Sequence, residues 1–249
     1  MSKFSERIRK AQRFHPQPLG FVTARAAAQA TMLLAGLAPD AAGAAALAQS
    51  GADVVIVGTP DAPARPDPPG DIGQAIAGAW VAGAGDDEAK RFREAGYDFV
   101  VFDPDRASAA ALLDDSVGYV LRLPGDLSDV EVRALDGFRL DAIDVGTIGG
   151  LLTVRRQIDL QRVHTLTRKP LMATVRADIA PSELRVLRDT NVTVVAAADG
   201  GAVAALRARI DALPERTRRK DEGERMTPFV PHTASGAAEA DEHDHDDDE

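Results

Sequence analysis

Two short stretches, Val54-Val55-Ile56-Val57 and Val192-Thr193-Val194-Val195-Ala196, decide the fold class of this chain. Neither alternates cleanly between apolar and polar residues, which indicates that both faces of each stretch are buried. Strands covered on both faces are typical of a parallel sheet that lies inside a layer of helices. We therefore predict an α/β protein with a parallel sheet.

Six further segments continue this pattern along the chain. The eight predicted strands are Thr31–Leu37, Asp53–Gly58, Ala79–Gly83, Tyr97–Asp103, Val117–Leu123, Ala142–Val145, Pro170–Arg176 and Val192–Ala197. Their starts are 18 to 28 residues apart, which is the length of one strand followed by one helix. Eight such units predict a compact (β/α)8 barrel of the TIM type. The alternative is an open doubly wound sheet, which usually carries about five to seven strands.

The first strand also has an alternative. Leu19–Ala24 could form it, and Ala26–Leu37 would then be a helix. We prefer Thr31–Leu37 because it keeps the spacing of the strands even. Residues 1–30 then form an N-terminal extension with one helix at about Glu6–Phe14, and residues 31–213 form the barrel.

Capping residues predict the helices between the strands. The expected helices are Ala41–Ser50 after Asp40, one from Asp86 or Asp87 to Glu94, Asp129–Leu135 after Ser128, Leu184–Asp189 after Pro181, and Ala202–Leu213 after Gly201. The longest helix should follow the sixth strand, with an apolar side formed by Leu151, Leu152, Ile158, Val163 and Leu166.

Two segments depart from the repeat. Thr59–Asp71 has five prolines in thirteen residues, so we expect neither helix nor strand there. It follows the second strand and is either a stiff lid over the barrel or a long connector. Residues 214–249 lack periodicity, and we predict a disordered acidic tail, with His243 and His245 among aspartates as a weak metal-binding alternative.

The charge and the residue types exclude several classes of protein. The chain has 249 residues, a net charge of −10 and no cysteine, and eight of its acids lie in Glu239–Glu249. Without those eleven residues, 29 basic and 31 acidic residues remain, a net charge of −2. We find no clustered basic face for nucleic acid and no apolar run for a membrane, so we expect a cytoplasmic protein. The missing cysteine excludes disulfides and thiolate sites.

Catalytic residues of a barrel lie at the C-terminal ends of its strands. No histidine or lysine of this sequence falls at such a position, which disfavours a histidine base or a lysine Schiff base. Carboxylates and arginines are found there instead. Alternation along the strands directs Asp103, Arg122, Asp144, Thr174 and Arg176 inward.

These residue types suggest a site for a small anion. Arg122 and Arg176 could bind a carboxylate or phosphate through forked hydrogen bonds. Asp103 and Asp144 could hold a divalent cation, with Mg²⁺ as the one cofactor suggested, or one of them could act as a general base. The same four residues could instead form a salt-bridge network that fills the upper barrel.

Paired glycines give a second indication of anion binding. Gly149-Gly150 follows the sixth strand, and Gly200-Gly201 follows the eighth at the start of a helix, where backbone N–H groups can hold phosphate. The βα repeat and the Asp199-Gly200-Gly201 turn resemble the phosphate-binding barrels. The seventh-strand loop, Ala177–Pro181, departs from that pattern because it has no glycine and carries an acid.

The leading functional hypothesis is an enzyme of lyase or isomerase type that acts on an anionic metabolite by acid–base or metal-assisted chemistry. This rests partly on the fold, which alone does not determine function. One alternative is a non-catalytic barrel that serves as an assembly or binding module, and another is a flavin-dependent oxidoreductase. We expect a small anionic ligand as the partner, and association into a homo-oligomer is compatible with every alternative.

Overall fold

The chain forms a closed barrel of eight parallel strands that pair in sequence order. The structure is a computed structural model and describes residues 2–12, 32–83, 85–125 and 127–214. The strands are β1 Leu33–Ala38, β2 Val54–Val57, β3 Ile76–Trp80, β4 Phe99–Phe102, β5 Gly118–Arg122, β6 Ala142–Ile148, β7 Leu171–Val175 and β8 Val192–Ala197. The (β/α)8 prediction is confirmed, and the doubly wound alternative is wrong because β8 pairs with β1.

Seven helices accompany the barrel in the described part of the chain. They are α1 Lys3–Gln12, α2 Ala41–Gln49, α3 Asp86–Glu94, α4 Asp129–Ala134, α5 Val154–Thr167, α6 Pro181–Asp189 and α7 Gly200–Asp211. The predicted caps hold for α2, where Asp40 accepts from Gly43 N, and for α4, where Ser128 forms a capping box with Glu131. In α3 the cap is Gly85 and not an aspartate.

The third strand lies three residues earlier than the sequence predicts. Ile76–Trp80, not Ala79–Gly83, pairs with β2 and β4. Gly78 hid this strand, because glycine is a poor strand residue without a packing reason. Here the reason is Phe99 of β4: a Cβ on Gly78 would lie 2.2 Å from Phe99 Cζ, so only glycine leaves room for the ring.

The proline-rich segment is the connector between β2 and β3, in the position of a helix. Thr59–Asp71 contains neither helix nor strand, and all of its residues are described. Ala64 N donates to the carbonyl of Trp80, and Pro69 is buried near Gly96 at the end of α3. These contacts hold the segment against β3 and α3, so the connector interpretation describes it and the lid interpretation does not.

Helix α1 fills the N-terminal end of the barrel. Phe4 and Ile8 are buried and pack into the apolar interior formed by inward side chains of the strands. The ring of Phe4 stacks on Phe99, with the centroids 4.2 Å apart. A Cβ on Gly118 would come within 2.9 Å of Phe99 Cβ, so this glycine also makes room for the stack. The barrel interior is therefore packed and closed at this end.

The position of α1 depends on an acid far away in the sequence. Asp98, at the start of β4, accepts hydrogen bonds from Lys3 N and Phe4 N, 3.0 and 2.8 Å long. This carboxylate satisfies N–H groups that have no partner within the helix. The helix therefore begins at Lys3, and the predicted span Glu6–Phe14 is wrong by about three residues. The division into 1–30, 31–213 and 214–249 stays a prediction.

Helix α5 is the longest described helix, as predicted, but its apolar side is only partly buried. Val163 packs into the core, whereas Leu151 and Ile158 are 76% and 56% exposed. The prediction that these two form the packed side is wrong. Leu19–Ala24 and the acidic tail lie outside the described residues. In the described part, no helix is long and apolar enough to cross a membrane.

Candidate functional site

Three of the predicted site residues belong to one layer at the C-terminal ends of β4, β5 and β6. Arg122 pairs in register with Asp144, and Phe102 pairs with Leu121, so Asp103 follows at the level of Arg122. The inward residues two positions earlier on these strands are apolar: Val101, Val120 and Ala142. The polar layer thus lies directly above a packed apolar interior.

Arg122 and Asp144 form an ion pair across β5 and β6. The distance from Arg122 Nη1 to Asp144 Oδ2 is 2.8 Å. The Asp144 side chain is 4% exposed, whereas that of Arg122 is 39% exposed. A buried carboxylate needs such a partner because an unpaired charge there would be very costly. The other N–H donors of Arg122 contact no acceptor in the described residues, and they face the open end of the barrel layer.

A bulge in β6 shapes this pair. The register of β6 against β7 shifts between Asp144 and Thr147, so β6 carries one extra residue there. Gly146 has φ = +81°, which favours glycine, and its N–H donates to Asp144 Oδ1 at 3.0 Å. A Cβ on Gly146 would lie 3.1 Å from Arg122 Nη2. The bulge therefore both binds the carboxylate and leaves space for the guanidinium.

Asp103 is only partly engaged. Its Oδ1 accepts from Asp105 N at 3.0 Å, in a local turn at the end of β4. Among the described residues no group donates to Oδ2, and the side chain is half-buried. Asp103 therefore has an oxygen available for a proton or a ligand, which Asp144 has to a lesser degree because both of its oxygens already accept hydrogen bonds.

Arg176 lies in a different cluster. Its guanidinium contacts Glu183 Oε2 at 2.6 Å, Asp178 Oδ1 at 3.0 Å and the carbonyl of Gly150. These partners come from the loops after β6 and β7 and from the first turn of α6. No described contact joins this cluster to the Arg122–Asp144 pair. The geometry gives Arg176 a loop-bridging role, and the inward direction expected from alternation does not describe its contacts.

Glu183 is the residue around which the Arg176 cluster is built. Its carboxylate accepts from Leu152 N at 2.8 Å, from Ala180 N at 3.1 Å and from Arg176. The Leu152 N–H, followed by that of Ala180 and by Arg176, holds the pKa of Glu183 below its ordinary value. Sequence reasoning missed this residue as part of the rim, because it used Glu183 only as a helix-start signal.

The glycines after β8 form the first turn of α7. Asp199 caps this helix by accepting from Ala202 N at 2.7 Å. Its carboxylate takes one of the positions that a bound phosphate would take. A Cβ on Gly200 would lie 2.9 Å from Ser50 Oγ, so Gly200 also has a packing reason. The assignment of Gly200 and Gly201 to phosphate stays a prediction.

The residues at the rim fit an anion better than a metal ion. No group of three or more histidine, aspartate or glutamate side chains in the described residues could hold a metal. Beside Asp144, the guanidinium of Arg122 already occupies the position that a cation would need. We therefore derive no step through Mg²⁺, and binding of Mg²⁺ by Asp103 and Asp144 stays a prediction.

Comparisons with known proteins show the fold. No protein-family model and no curated protein matches the chain. KGPDC from Streptococcus mutans, solved in complex with D-ribose 5-phosphate, has a TM-score of 0.54 and 14% identity over 73% of this chain and 98% of that chain. For 3-keto-L-gulonate-6-phosphate decarboxylase from Vibrio cholerae the values are 0.53, 13%, 74% and 99%. For an HpcH/HpaI aldolase from Desulfitobacterium hafniense they are 0.51, 12%, 75% and 95%.

These structures are similar to this chain in architecture over nearly their whole length. The fold-level resemblance to phosphate-binding barrels, expected from the βα repeat, is confirmed. Identities of this size show the fold and do not transfer an activity.

Proposed function

We propose that this protein is an enzyme of lyase type that acts on a small anionic metabolite at the C-terminal end of its barrel. The observation that carries the proposal is the Arg122–Asp144 pair. Asp144 is buried and fixes one N–H of Arg122, while the rest of the guanidinium is exposed above an apolar layer. An arginine oriented in this way is ready to bind a carboxylate or phosphate oxygen.

The proposed chemistry uses Asp103 as the acid–base group. In a cleavage of aldol type, the Asp103 carboxylate accepts the proton of a substrate hydroxyl while the adjacent C–C bond breaks. The bond electrons move to an enolate, whose oxygen is stabilised by Arg122. Asp144 is a positioning residue in this scheme, because it acts through Arg122. An isomerase would share the enolate and differ in where the proton returns.

The structural neighbours support the substrate class. Their names refer to a decarboxylase of a sugar-acid phosphate, an aldolase, and a complex with D-ribose 5-phosphate. This chain has no lysine or histidine at a C-terminal strand end among its described residues, so its chemistry must depend on carboxylates and arginines.

The first experiment measures binding of D-ribose 5-phosphate by the rise in melting temperature, with ribose as the uncharged control. We expect a rise for the wild type and for Arg155→Gln, whose side chain is 83% exposed on α5, and none for Arg122→Gln. An equal rise in the Arg122→Gln variant would remove the anion site from the rim. Addition of Mg²⁺ alone tests the metal prediction in the same assay.

The second experiment tests catalysis. The wild type is incubated with phosphorylated sugar acids and hydroxy acids, and release of CO₂ or aldehyde is followed. Asp103→Asn should lower turnover at least 100-fold and leave binding of the sugar phosphate unchanged. Unchanged turnover in that variant would exclude Asp103 as the base. A yellow protein whose colour is released on denaturation would favour the flavin alternative instead.

A non-catalytic assembly role is the second candidate, and one surface favours it. Four apolar side chains on or beside the packed helices α4 and α5 are largely exposed: Val130, Leu151, Val154 and Ile158. Exposed apolar groups that lie together often mark a protein contact. Light scattering on the wild type and on Val154→Asp tests it: a defined oligomer that the variant dissociates supports the assembly role, and an unchanged monomer excludes it.

A further inference from the structure

The largest described cavity lies at the opposite end of the barrel from the proposed site. It has a volume of about 590 Å³ and lies between α1, the segment before β3 and the turn before β4. Cavities of roughly 300–1,000 Å³ are the usual size for small-molecule sites. Barrel enzymes carry their chemistry at the other end, so the proposed lyase function does not use this space.

Positive side chains dominate the lining of this cavity. Lys3, Arg7 and Lys10 are spaced for one face of α1, and Arg93 lines the cavity from α3. Arg7 already lies near an acid. Among the described residues, Lys3, Lys10 and Arg93 have no ion-pair contact, and Arg93 acts on Asp114 only through its charge. Three cations without an ion pair therefore surround the space.

Two acids line the same cavity, and one of them is already engaged. Asp98 accepts from Lys3 N and Phe4 N, so its charge is directed into the start of α1. Glu6 is exposed and four residues from Lys10 on the helix. The cations still exceed the acids in the lining, which favours an anionic ligand.

An unpartnered hydroxyl on a buried residue gives a second, independent observation. Tyr97 lines the cavity and is 3% exposed, yet its hydroxyl makes no hydrogen bond within the described residues. A buried tyrosine hydroxyl normally has a partner. Burial, with a smaller effect from Asp67, raises the pKa of Tyr97, so the phenol keeps its proton and can donate. An acceptor oxygen from a ligand would satisfy it.

We propose that this cavity binds a small molecule with two or more phosphate groups. Lys3 and Lys10 are seven residues apart, about 10 Å along a helix, and Arg93 lies on the other wall, so one phosphate cannot reach all three. A chain of phosphates, or a bisphosphate, spans that distance. Bound there, it would tie α1 to the barrel, because α1 supplies part of the lining.

The test uses the full chain labelled with 3-fluorotyrosine, which has only two tyrosines, Tyr97 and Tyr119. Tyr97→Phe assigns the two ¹⁹F resonances. The probes are tripolyphosphate, pyrophosphate and inorganic phosphate. We expect tripolyphosphate to shift the Tyr97 resonance and to bind at least 10-fold more tightly than inorganic phosphate. The resonance of Tyr119, which packs under the Ala109–Leu113 turn, should not move.

Charge-matched variants locate the site. Lys10→Gln/Arg93→Gln should weaken tripolyphosphate binding at least 10-fold. Lys90→Gln/Arg91→Gln removes the same charge from α3 outside the lining and should bind as the wild type does. Arg122→Gln should also leave it unchanged, which separates this site from the rim. Equal weakening in both double variants, loss in Arg122→Gln, or no Tyr97 shift at millimolar tripolyphosphate would overturn the proposal.

Discussion

Phe4 of α1 lies almost parallel to Phe99 of β4, with an interplanar angle of 15°, and neither ring has solvent exposure. The stack joins the first helix to a strand that begins 95 residues later in the chain. Replacement of Phe4 by alanine should therefore remove packing from the barrel interior itself.

Phe4→Ala should lower the free energy of unfolding by about 3–5 kcal/mol, the usual cost of a buried phenylalanine. The measurement is urea unfolding followed by circular dichroism. Leu113→Ala is the control, because Leu113 is 82% exposed and should change stability by less than about 0.5 kcal/mol. Equal effects of both changes would contradict the role of α1 as part of the core.

Gly146→Ala should disturb the Arg122–Asp144 pair. The left-handed backbone and the 3.1 Å approach to Arg122 together predict a loss of about 1–3 kcal/mol. Gly150→Ala is a matched control in the following loop, since a Cβ there meets nothing within 4 Å. If unfolding experiments show the two variants equally stable, the bulge does not constrain the pair.

Glu183→Gln should destabilise the protein at neutral pH and much less in acid. The pKa of Glu183 is lowered in the folded state, so its contribution is present above the ordinary glutamate pKa and is lost as the pH falls through the folded value. We expect a loss of about 1–3 kcal/mol at pH 7, as for hydrogen bonds to a charged group. Unfolding at pH 7 and at pH 3.5 measures the difference, and a constant difference would contradict the prediction.

Asp141→Asn should have the opposite pH dependence. Burial raises the pKa of Asp141, although the hydrogen bond from Ser2 Oγ opposes the shift. A raised pKa stabilises the fold at low pH, and that contribution is lost as the pH rises through the folded value. The variant should therefore melt above the wild type at pH 7 and lose this advantage near pH 4. The exposed Asp61→Asn should show no advantage at either pH.

The strands that the sequence predicts best are those whose environment is uniform. β2 and β8 are buried at every position, so an apolar run was sufficient evidence. β3 was misplaced because Gly78 is required by a side chain on the next strand. The start of α1 was misplaced because its cap, Asp98, is 94 residues away from Phe4. Local patterns do not contain such long-range contacts.

The site was predictable in residue type and less so in partners. Alternation brought Arg122 and Asp144 to one layer, as the register shows. The same rule treated Arg176 in the same way, although Glu183 and the Gly150 carbonyl hold it between two loops. The bulge at Gly146 changes the direction of β6 by one residue, and a strict period of two cannot anticipate it.

Closure of the barrel floor by Phe4 and Ile8 has a consequence for traffic at the rim. Nothing can pass through the interior, so a molecule that enters above Arg122 must depart by the same mouth. Product and incoming substrate would then compete for a single doorway, and turnover would show inhibition by product. A compound held at the floor could influence the mouth only through the packed strands between them.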